Sequence, residues 1–307
     1  MLWLESIIMN GKVFFKIFTP YYKNMINLTV FFILVSLDGF GYCSVANFPG
    51  GNPAFVSYQQ GSVLACSASP HRCGSFDGKI WSRMPDMKQQ HCNYDSLSLN
   101  IDQGWLITST KTTDDGCTNE AVSEVFTGNE WVPGPNHPPN GEFLYTCVAN
   151  FNSSHLLYVS GYPFWARTWL FDLNTEKWLE TGTLNQGRYD TACVSLGDQG
   201  ILIAGGSRSA YPDKAERGSP ASVELHDVWA GIWLPQPDLP QKLDRREPTL
   251  LNYNGEALGF FRNSREVFKR SARNGKWSVL KGVQLPSEFR GNLVSKVVLV
   301  PGTWSCN

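Results

Sequence analysis

The sequence lacks an excess of charge of either sign. Its 307 residues carry 26 lysines and arginines against 27 aspartates and glutamates, a formal net charge of −1. Binding to nucleic acid requires clustered cations that neutralise phosphates. The one locally basic stretch, residues 267–281, is more simply explained as a solvated hairpin. The composition therefore argues against a nucleic-acid partner.

The sequence also lacks the short motifs of common catalytic and cofactor sites. It contains no GxSxG, no HExxH, no P-loop and no GxGxxG ahead of a helix. Its five histidines are scattered at positions 71, 91, 137, 155 and 226, and no cysteines show the paired spacing of a zinc site. We therefore predict no catalytic residue, no metal site and no cofactor, and we expect that the protein is not an enzyme.

Only one apolar run approaches the length of a membrane span. Residues 25–37, MINLTVFFILVSL, have the length of a signal-peptide core, whereas a spanning helix needs roughly 20 apolar residues. We expect cleavage near Gly41, so that residues 1–41 form a leader and residues 42–307 form a single secreted domain. The alternative is an uncleaved signal anchor.

What the sequence does contain is a tryptophan that recurs at the spacing of a structural repeat. The copies are Trp81, Trp131, Trp178, Trp233 and Trp277, separated by 50, 47, 55 and 44 residues. Each follows a polar turn and a set of alternating β-rich runs, which gives four strands per unit. Units of this size are typical of propeller blades, which bury their faces against one another. We predict an all-β propeller with the tryptophans at the joins between blades, where large apolar side chains are most useful.

The unit at residues 188–240 resembles a kelch repeat. It combines an Arg-led strand, the diglycine Gly205-Gly206, an acidic strand end and Trp233. The resemblance covers roughly residues 55–302 and implies a propeller of four-stranded blades. Six copies of the second strand favour six blades, closed by joining the two ends of the chain; five or seven blades remain open. The diglycine is expected to permit close backbone approach or positive φ.

The eight cysteines all follow the predicted leader, and an even number in a secreted chain favours disulfides. The candidate pairs are Cys43–Cys306 across the ring closure, and Cys66–Cys73 and Cys92–Cys117 within their own blades. Cys147 and Cys193 occupy equivalent inner-strand positions and are expected to be buried free thiols. Asn152 begins the sequon Asn-Ser-Ser in a polar turn, and it is the predicted glycosylation site.

Two loops carry residue types that are enriched in binding hot spots. One, YPFWART at residues 162–168, contains Trp165 and Arg167; the other, an insertion at residues 207–225, contains Tyr211 and Arg217. A third loop, residues 110–119, is expected to be tied down by Cys117. The simpler explanations are that Trp165 packs between blades and that the insertion is solvated and has no partner.

These features predict a secreted, non-catalytic binding scaffold that recognises an extracellular protein or glycan through loops on one propeller face. Two alternatives remain. Some kelch-like propellers, the galactose-oxidase-like family, are copper oxidases, although no segment here presents the required paired histidines. The second alternative is a structural component of an extracellular coat, with identical chains as its partners.

Overall fold

The structure is a computed structural model, and parts of the chain are described in full. Backbone and side chains are described for residues 48–49, 53–68, 71–92, 97–113, 116–118, 120–135, 147–159, 166–206, 221–240, 248–261, 264–283 and 285. The backbone alone is described for residues 4–9, 12–17, 30–36, 39–45, 119, 207–208, 284 and 297–301.

Five antiparallel sheets of four strands follow one another along the chain, and within each sheet the strands lie in sequence order. We call these sheets blades 1 to 5 and number the strands of each from one to four. Blade 1 consists of Pro53–Gln59, Ser62–Ser67, Cys73–Phe76 and Trp81–Arg83; blade 2 of Leu97–Ile101, Gly104–Thr113, Gly116–Phe126 and Trp131–Pro133; blade 3 of Cys147–Asn152, His155–Val159, Thr168–Asp172 and Lys177–Glu180; blade 4 of Ala192–Ser195, Ile201–Ala204, Val223–Asp227 and Ile232–Gln236; blade 5 of Thr249–Tyr253, Glu256–Phe260, Glu266–Arg270 and Trp277–Gln284.

The position of a strand within its blade explains its sequence pattern. Second strands are covered on both faces by the neighbouring blades, so they read as continuous apolar runs such as HLLYV and ILIA, which are almost wholly buried. Fourth strands lie at the outer edge, and KWLE in blade 3 is correspondingly mostly exposed. The chain therefore forms a propeller because its apolar runs need cover on two sides.

The first strands of the five blades contact one another in order, and the strand Val297–Pro301 contacts those of blades 5 and 1. That strand pairs in parallel with Val30–Ser36, which pairs antiparallel with Gly39–Val45. The described ring thus has five four-stranded blades and one three-stranded sheet. Sequence alone favours six blades and leaves five open; the described part of the chain shows five. Val30–Ser36 falls within the predicted leader, residues 1–41, which stays a prediction.

Three small elements complete the described secondary structure. They are the hairpin of Leu4–Met9 and Lys12–Ile17, the two-residue pair Arg188–Tyr189 with Ser207–Arg208, and the 3-10 turn Gly197–Gln199. By topology, the connections between second and third strands leave one face of the ring, which we call the finger face. The turns between first and second strands and between third and fourth strands lie on the opposite face, the turn face.

The hydrophobic core is divided among the joins between blades. Four buried clusters each combine side chains of two consecutive blades. The repeat tryptophans contribute to them: Trp131 at the join of blades 1 and 2, Trp178 at that of 2 and 3, Trp233 at that of 3 and 4, and Trp277 at that of 4 and 5. Trp81 packs against Phe48 and Phe76, with ring centroids 5.0 and 5.2 Å away.

The diglycine of blade 4 is required by backbone geometry. Gly205 and Gly206 have φ angles of +71° and +91°. A Cβ on Gly206 would lie 2.5 Å from the carbonyl oxygen of Tyr189. Any larger residue at position 206 would therefore combine an unfavourable φ with a backbone clash.

Asparagine side chains connect the first strands of neighbouring blades. The Nδ2 of Asn100 donates to the Tyr58 carbonyl (3.0 Å), that of Asn150 to the Asn100 carbonyl (2.7 Å), and that of Asn252 to the Ser195 carbonyl (2.8 Å). In blade 4 the equivalent position is Ser195, which pairs with Ile201 as Asn150 pairs with Leu156 and carries no amide group. The join between blades 3 and 4 is therefore held differently.

A disulfide between Cys147 and Cys193 crosslinks that join, so the expectation of two free thiols is wrong. Both residues lie on first strands, and their Cα atoms are 5.8 Å apart, within the normal range for a disulfide. The two positions are offset by one residue in the repeat, because Cys147 corresponds to Ala192, whose partner Ala204 matches Val159. Successive residues of a strand face opposite sides, so Cys193 faces blade 3 and meets Cys147 across the join.

The structure also contains the predicted disulfides Cys66–Cys73 in blade 1 and Cys92–Cys117 in blade 2. Cys66 and Cys73 are directly opposite each other on the second and third strands. Cys306 lies outside the described residues, and only the backbone is described at Cys43, so the terminal disulfide stays a prediction.

Candidate functional site

The hairpin of blade 2 projects from the finger face. Its second and third strands have 10 and 11 residues, whereas the corresponding strands of the other blades have 4 to 6. The first strand pairs only as far as Thr108, but the hairpin continues to the pair Thr113–Gly116. We call residues 109–113 and 116–122 the finger; the five further residues of the second strand reach about 15 Å beyond the sheet.

Several bonds brace the finger against the segment that enters blade 2. The Cys92–Cys117 disulfide joins the two, the Cys92 N–H donates to the Thr110 carbonyl (2.7 Å), and the Thr112 N–H donates to the Gln90 carbonyl (3.1 Å). An ion pair between Lys111 and Glu120, 3.0 Å apart, connects the finger's own strands. The finger is thus a three-stranded, covalently anchored projection rather than a loose loop.

A buried histidine lies at the base of the finger, between its two strands. The Nδ1 of His91 is 2.8 Å from the Ser109 hydroxyl, and its Nε2 is 3.1 Å from Glu124 Oε2. Ser109 donates its own hydrogen to the Thr110 carbonyl (2.9 Å). His91 therefore connects the Ser109 hydroxyl to the buried carboxylate of Glu124.

Glu124 is held as a carboxylate by its surroundings. Burial raises its pKa, but the hydrogen bond from His91 and those from the backbone N–H groups of Gln89 and Lys88 outweigh burial, so the pKa lies below its ordinary value. Both backbone N–H groups are 3.0 Å from the carboxylate oxygens.

Blade 4 contains the same arrangement with arginine in place of histidine. Arg188 Nη2 is 2.7 Å from Glu224 Oε1, and Glu224 accepts the backbone N–H groups of Asn185 (2.7 Å) and Gln186 (3.2 Å). Because the two blades use matching positions, the His91–Glu124 pair has a structural explanation. The pair supports the base of the finger.

The sequence-predicted binding residues fall largely outside the described part of the chain. Trp165, Tyr211 and Arg217 lie there. Arg167 is described: it is exposed, and its Nε is 3.6 Å from Glu180 Oε1. The strands that flank residues 160–167 and 209–222 end and begin at the finger face. The described strand ends on either side of both loops therefore lie at the finger face, while residues 160–165 and 209–220 lie outside the described part of the chain.

The turn face carries the predicted glycosylation site. Asn152 is exposed, and its Oδ1 accepts the Ser154 N–H (2.9 Å) and the Ser154 hydroxyl (3.1 Å). The sequon is thus accessible and lies opposite the finger. Its use as a glycan acceptor stays a prediction.

The residue paired with the repeat tryptophan is phenylalanine in blades 1 to 3 but polar in blades 4 and 5. The cross-strand partners of Trp81, Trp131, Trp178, Trp233 and Trp277 are Phe76, Phe126, Phe171, His226 and Arg270. His226 is 1% exposed, and neither of its ring nitrogens has a hydrogen-bond partner among the described residues. Its ring packs against Phe151 and Trp233 instead.

This burial predicts an acid-sensitive contribution to stability. Burial lowers the pKa of His226 below its ordinary value of 6.5, and Asp227 offsets only part of that effect. Below pH 6.5 the unfolded chain therefore binds a proton that the folded chain does not, and stability falls as pH falls towards the folded-state pKa, by at most about 1.4 kcal/mol per pH unit. We expect His226→Phe to remove this loss in urea unfolding at pH 7.5 and 5.5.

His71, whose pKa is also lowered by burial, remains in both proteins and serves as an internal control. The difference between wild type and variant therefore reports His226 alone. Equal losses of stability between the two pH values in both proteins would contradict the assignment.

Two further kinds of feature are absent from the described residues. Among them, no three histidine, cysteine, aspartate or glutamate side chains are grouped so as to hold a metal ion. In that same part of the chain, no helix has the length and apolar character needed to cross a membrane.

Comparisons with known proteins give no family for this chain. No protein-family model matches it, and no curated protein matches it. The β-propeller fold is therefore established by the geometry of the blades, while the kelch assignment remains a resemblance carried by the repeat pattern.

Proposed function

We propose that the protein is an extracellular, non-catalytic scaffold that binds a protein or glycan partner through its finger face. The observation that carries the proposal is the finger. It extends beyond its blade, and a disulfide, backbone hydrogen bonds and an ion pair fix it in place. Rigid projections favour recognition because little conformational entropy is lost when they bind.

Two further observations support this proposal. The three described disulfides are typical of proteins that fold in an oxidising compartment. The buried pairs His91–Glu124 and Arg188–Glu224 are explained by matching structural networks, which supports a non-catalytic role for them.

We expect Thr113→Arg, at the exposed end of the finger, to weaken binding about tenfold or more. The larger cationic side chain would occupy the contact surface without touching the core. The test measures binding to an array of glycans and to a panel of purified extracellular proteins. Asn174→Arg is the matched control, because it introduces the same exposed side chain on the turn face.

Thermal unfolding of both variants separates lost binding from lost folding. Equal binding by the Thr113 and Asn174 variants would contradict the proposal, as would stoichiometric copper in the purified protein, which instead supports the oxidase alternative.

A further inference from the structure

A tryptophan side chain is almost fully exposed on the turn face. Trp229 is 92% exposed and lies in the turn between the third and fourth strands of blade 4. The Asp227 carboxylate accepts the N–H groups of Trp229 (2.9 Å) and Ala230 (3.0 Å), and the Gly231 N–H donates to the Asp227 carbonyl (2.9 Å). The indole therefore projects from a well-fixed turn.

The other blades show that this turn does not need a tryptophan. In blades 1 and 3, Lys79 and Asn174 stand two residues after an aspartate that makes the same bonds, each with its N–H 2.8 Å from the carboxylate. Polar residues thus support the same turn. An exposed indole there is explained by contact with another molecule, since tryptophan is enriched among residues that dominate binding energy.

A partly apolar cleft, open to solvent, lies between blades 2 and 3. It encloses about 170 Å³, and its lining includes Val132, Pro133 and Leu173, with Gln103 and Glu176 at its exposed rim. A cavity of about 150 Å³ accepts a benzene ring, so an open cleft of this size can receive the six-membered part of an indole. The side-chain oxygens of Gln103 and Glu176 supply acceptors for the indole N–H.

The cleft and Trp229 are related in a way that allows two copies to bind each other. Turns of blades 2 and 3 line the cleft, so it opens towards the turn face, and it lies near the outer strands, as Trp229 does. When two copies meet face to face, a two-fold axis can lie in the plane between them. If the indole and the cleft are at similar distances from the propeller axis, such an axis can place the indole of each copy at the cleft of the other. Two copies meeting face to face can therefore form both contacts at once, with closed symmetry.

We infer that two copies of this chain dimerise through their turn faces, each placing Trp229 in the cleft between blades 2 and 3 of the other. Ile232 and Leu234, which are 48% and 38% exposed, extend the apolar surface beside the indole. This dimer is independent of the proposed finger-face function, because it uses the opposite face.

The charges and neighbours of Trp229 favour a protein surface over other occupants. Anionic membranes attract surfaces with excess lysine and arginine, but the turn that carries Trp229, residues 227–232, contributes the carboxylate of Asp227 and contains no lysine or arginine. A sugar site needs hydrogen-bonding side chains around the ring. The sequence neighbours of Trp229 are Val228, Ala230, Gly231 and Ile232, which offer none.

The first test is sedimentation of the full chain over a range of concentrations. Asn152 adjoins the cleft, because the Leu173 N–H donates to the Ser154 carbonyl at 2.8 Å. The protein is therefore first treated with an N-glycosidase, so that no sugar there can block the cleft. We expect a reversible dimer whose dissociation constant rises about tenfold or more in Trp229→Asn. Lys79→Asn, the matched change in blade 1, should leave it unchanged.

A second variant blocks the cleft without touching the core. Thr127 is exposed and lines the cleft, so Thr127→Arg should weaken the dimer to a similar extent. Mixing Trp229→Asn with Thr127→Arg restores one of the two contacts, and we expect a one-to-one heterodimer weaker than the wild-type dimer. Thermal unfolding confirms that each variant is folded.

Three results would overturn the inference. They are a wild-type protein that stays monomeric at every concentration, a dimer that Trp229→Asn does not weaken, and variants that fail to complement each other when mixed. Binding of the wild type to phosphatidylcholine vesicles, lost in Trp229→Asn and without any dimer, would instead assign the indole to a lipid surface.

Discussion

Replacing Arg188 by methionine is expected to lower the free energy of unfolding by about 3–5 kcal/mol. Arg188 and Glu224 are almost completely buried, and their charges lie 2.7 Å apart. The guanidinium also donates to the Ser222 carbonyl (2.7 Å) and hydroxyl (2.8 Å). Methionine fills similar space but leaves the Glu224 carboxylate buried without its cation, and this unpaired charge is the source of the loss.

The double variant Arg188→Met with Glu224→Leu should recover part of that loss, because it removes both charges together. Recovery is incomplete, since the backbone N–H groups of Asn185 and Gln186 then lose their acceptor. Arg83→Met is the control: its ion pair with Asp86 is 79% exposed on the arginine side, and exposed pairs contribute at most about 1 kcal/mol. Urea unfolding measures all three, and equal losses for Arg83→Met and Arg188→Met would contradict the assignment.

The blades were predictable because their signals are local. Alternating strands, polar turns and a tryptophan every 44 to 55 residues are visible in the sequence, and the structure arranges them as four-stranded sheets. The ring closure was less predictable, because it pairs Val297–Pro301 with Val30–Ser36, more than 250 residues away. No local pattern specifies that partner or the number of strands in the closing sheet.

The finger is visible in the sequence as two unusually long strands, which composition alone does not reveal. The runs GWLITSTKTT and GCTNEAVSEVF are about twice as long as their counterparts in other blades, and Cys117 falls within the second. Comparing strand lengths across the repeat would have found the projection. The burial of His91 between Ser109 and Glu124 was not accessible in that way, because it depends on how two strands approach the segment entering the blade.

The lack of partners at His226 likewise depends on packing. The sequence shows that histidine replaces phenylalanine opposite the repeat tryptophan, but not that both ring nitrogens go without a hydrogen bond in the described structure. The exposure of Trp229 is similar. Its position two residues after Asp227 is visible in sequence, whereas its 92% exposure requires coordinates.

Removing the disulfide between blades 3 and 4 with Cys147→Ala and Cys193→Ala is expected to lower the free energy of unfolding by about 4 kcal/mol. The bridge spans 46 residues of sequence, so it restricts the unfolded chain strongly. It also crosses the join where Ser195 stands in place of the bonding asparagine found at three other joins. Without the disulfide, the join between blades 3 and 4 would therefore also lack the asparagine hydrogen bond that connects the first strands at the other three joins.

The matched control is Cys66→Ala with Cys73→Ala, which opens a bridge across only 7 residues. The same chain-entropy relation gives about 2 kcal/mol for that short loop. Urea unfolding of both double variants under non-reducing conditions compares the two bridges directly. A loss from the Cys147–Cys193 pair no larger than that of the control would show that the bridge is not what holds blades 3 and 4 together, and that the apolar packing of Trp233 across this join is sufficient.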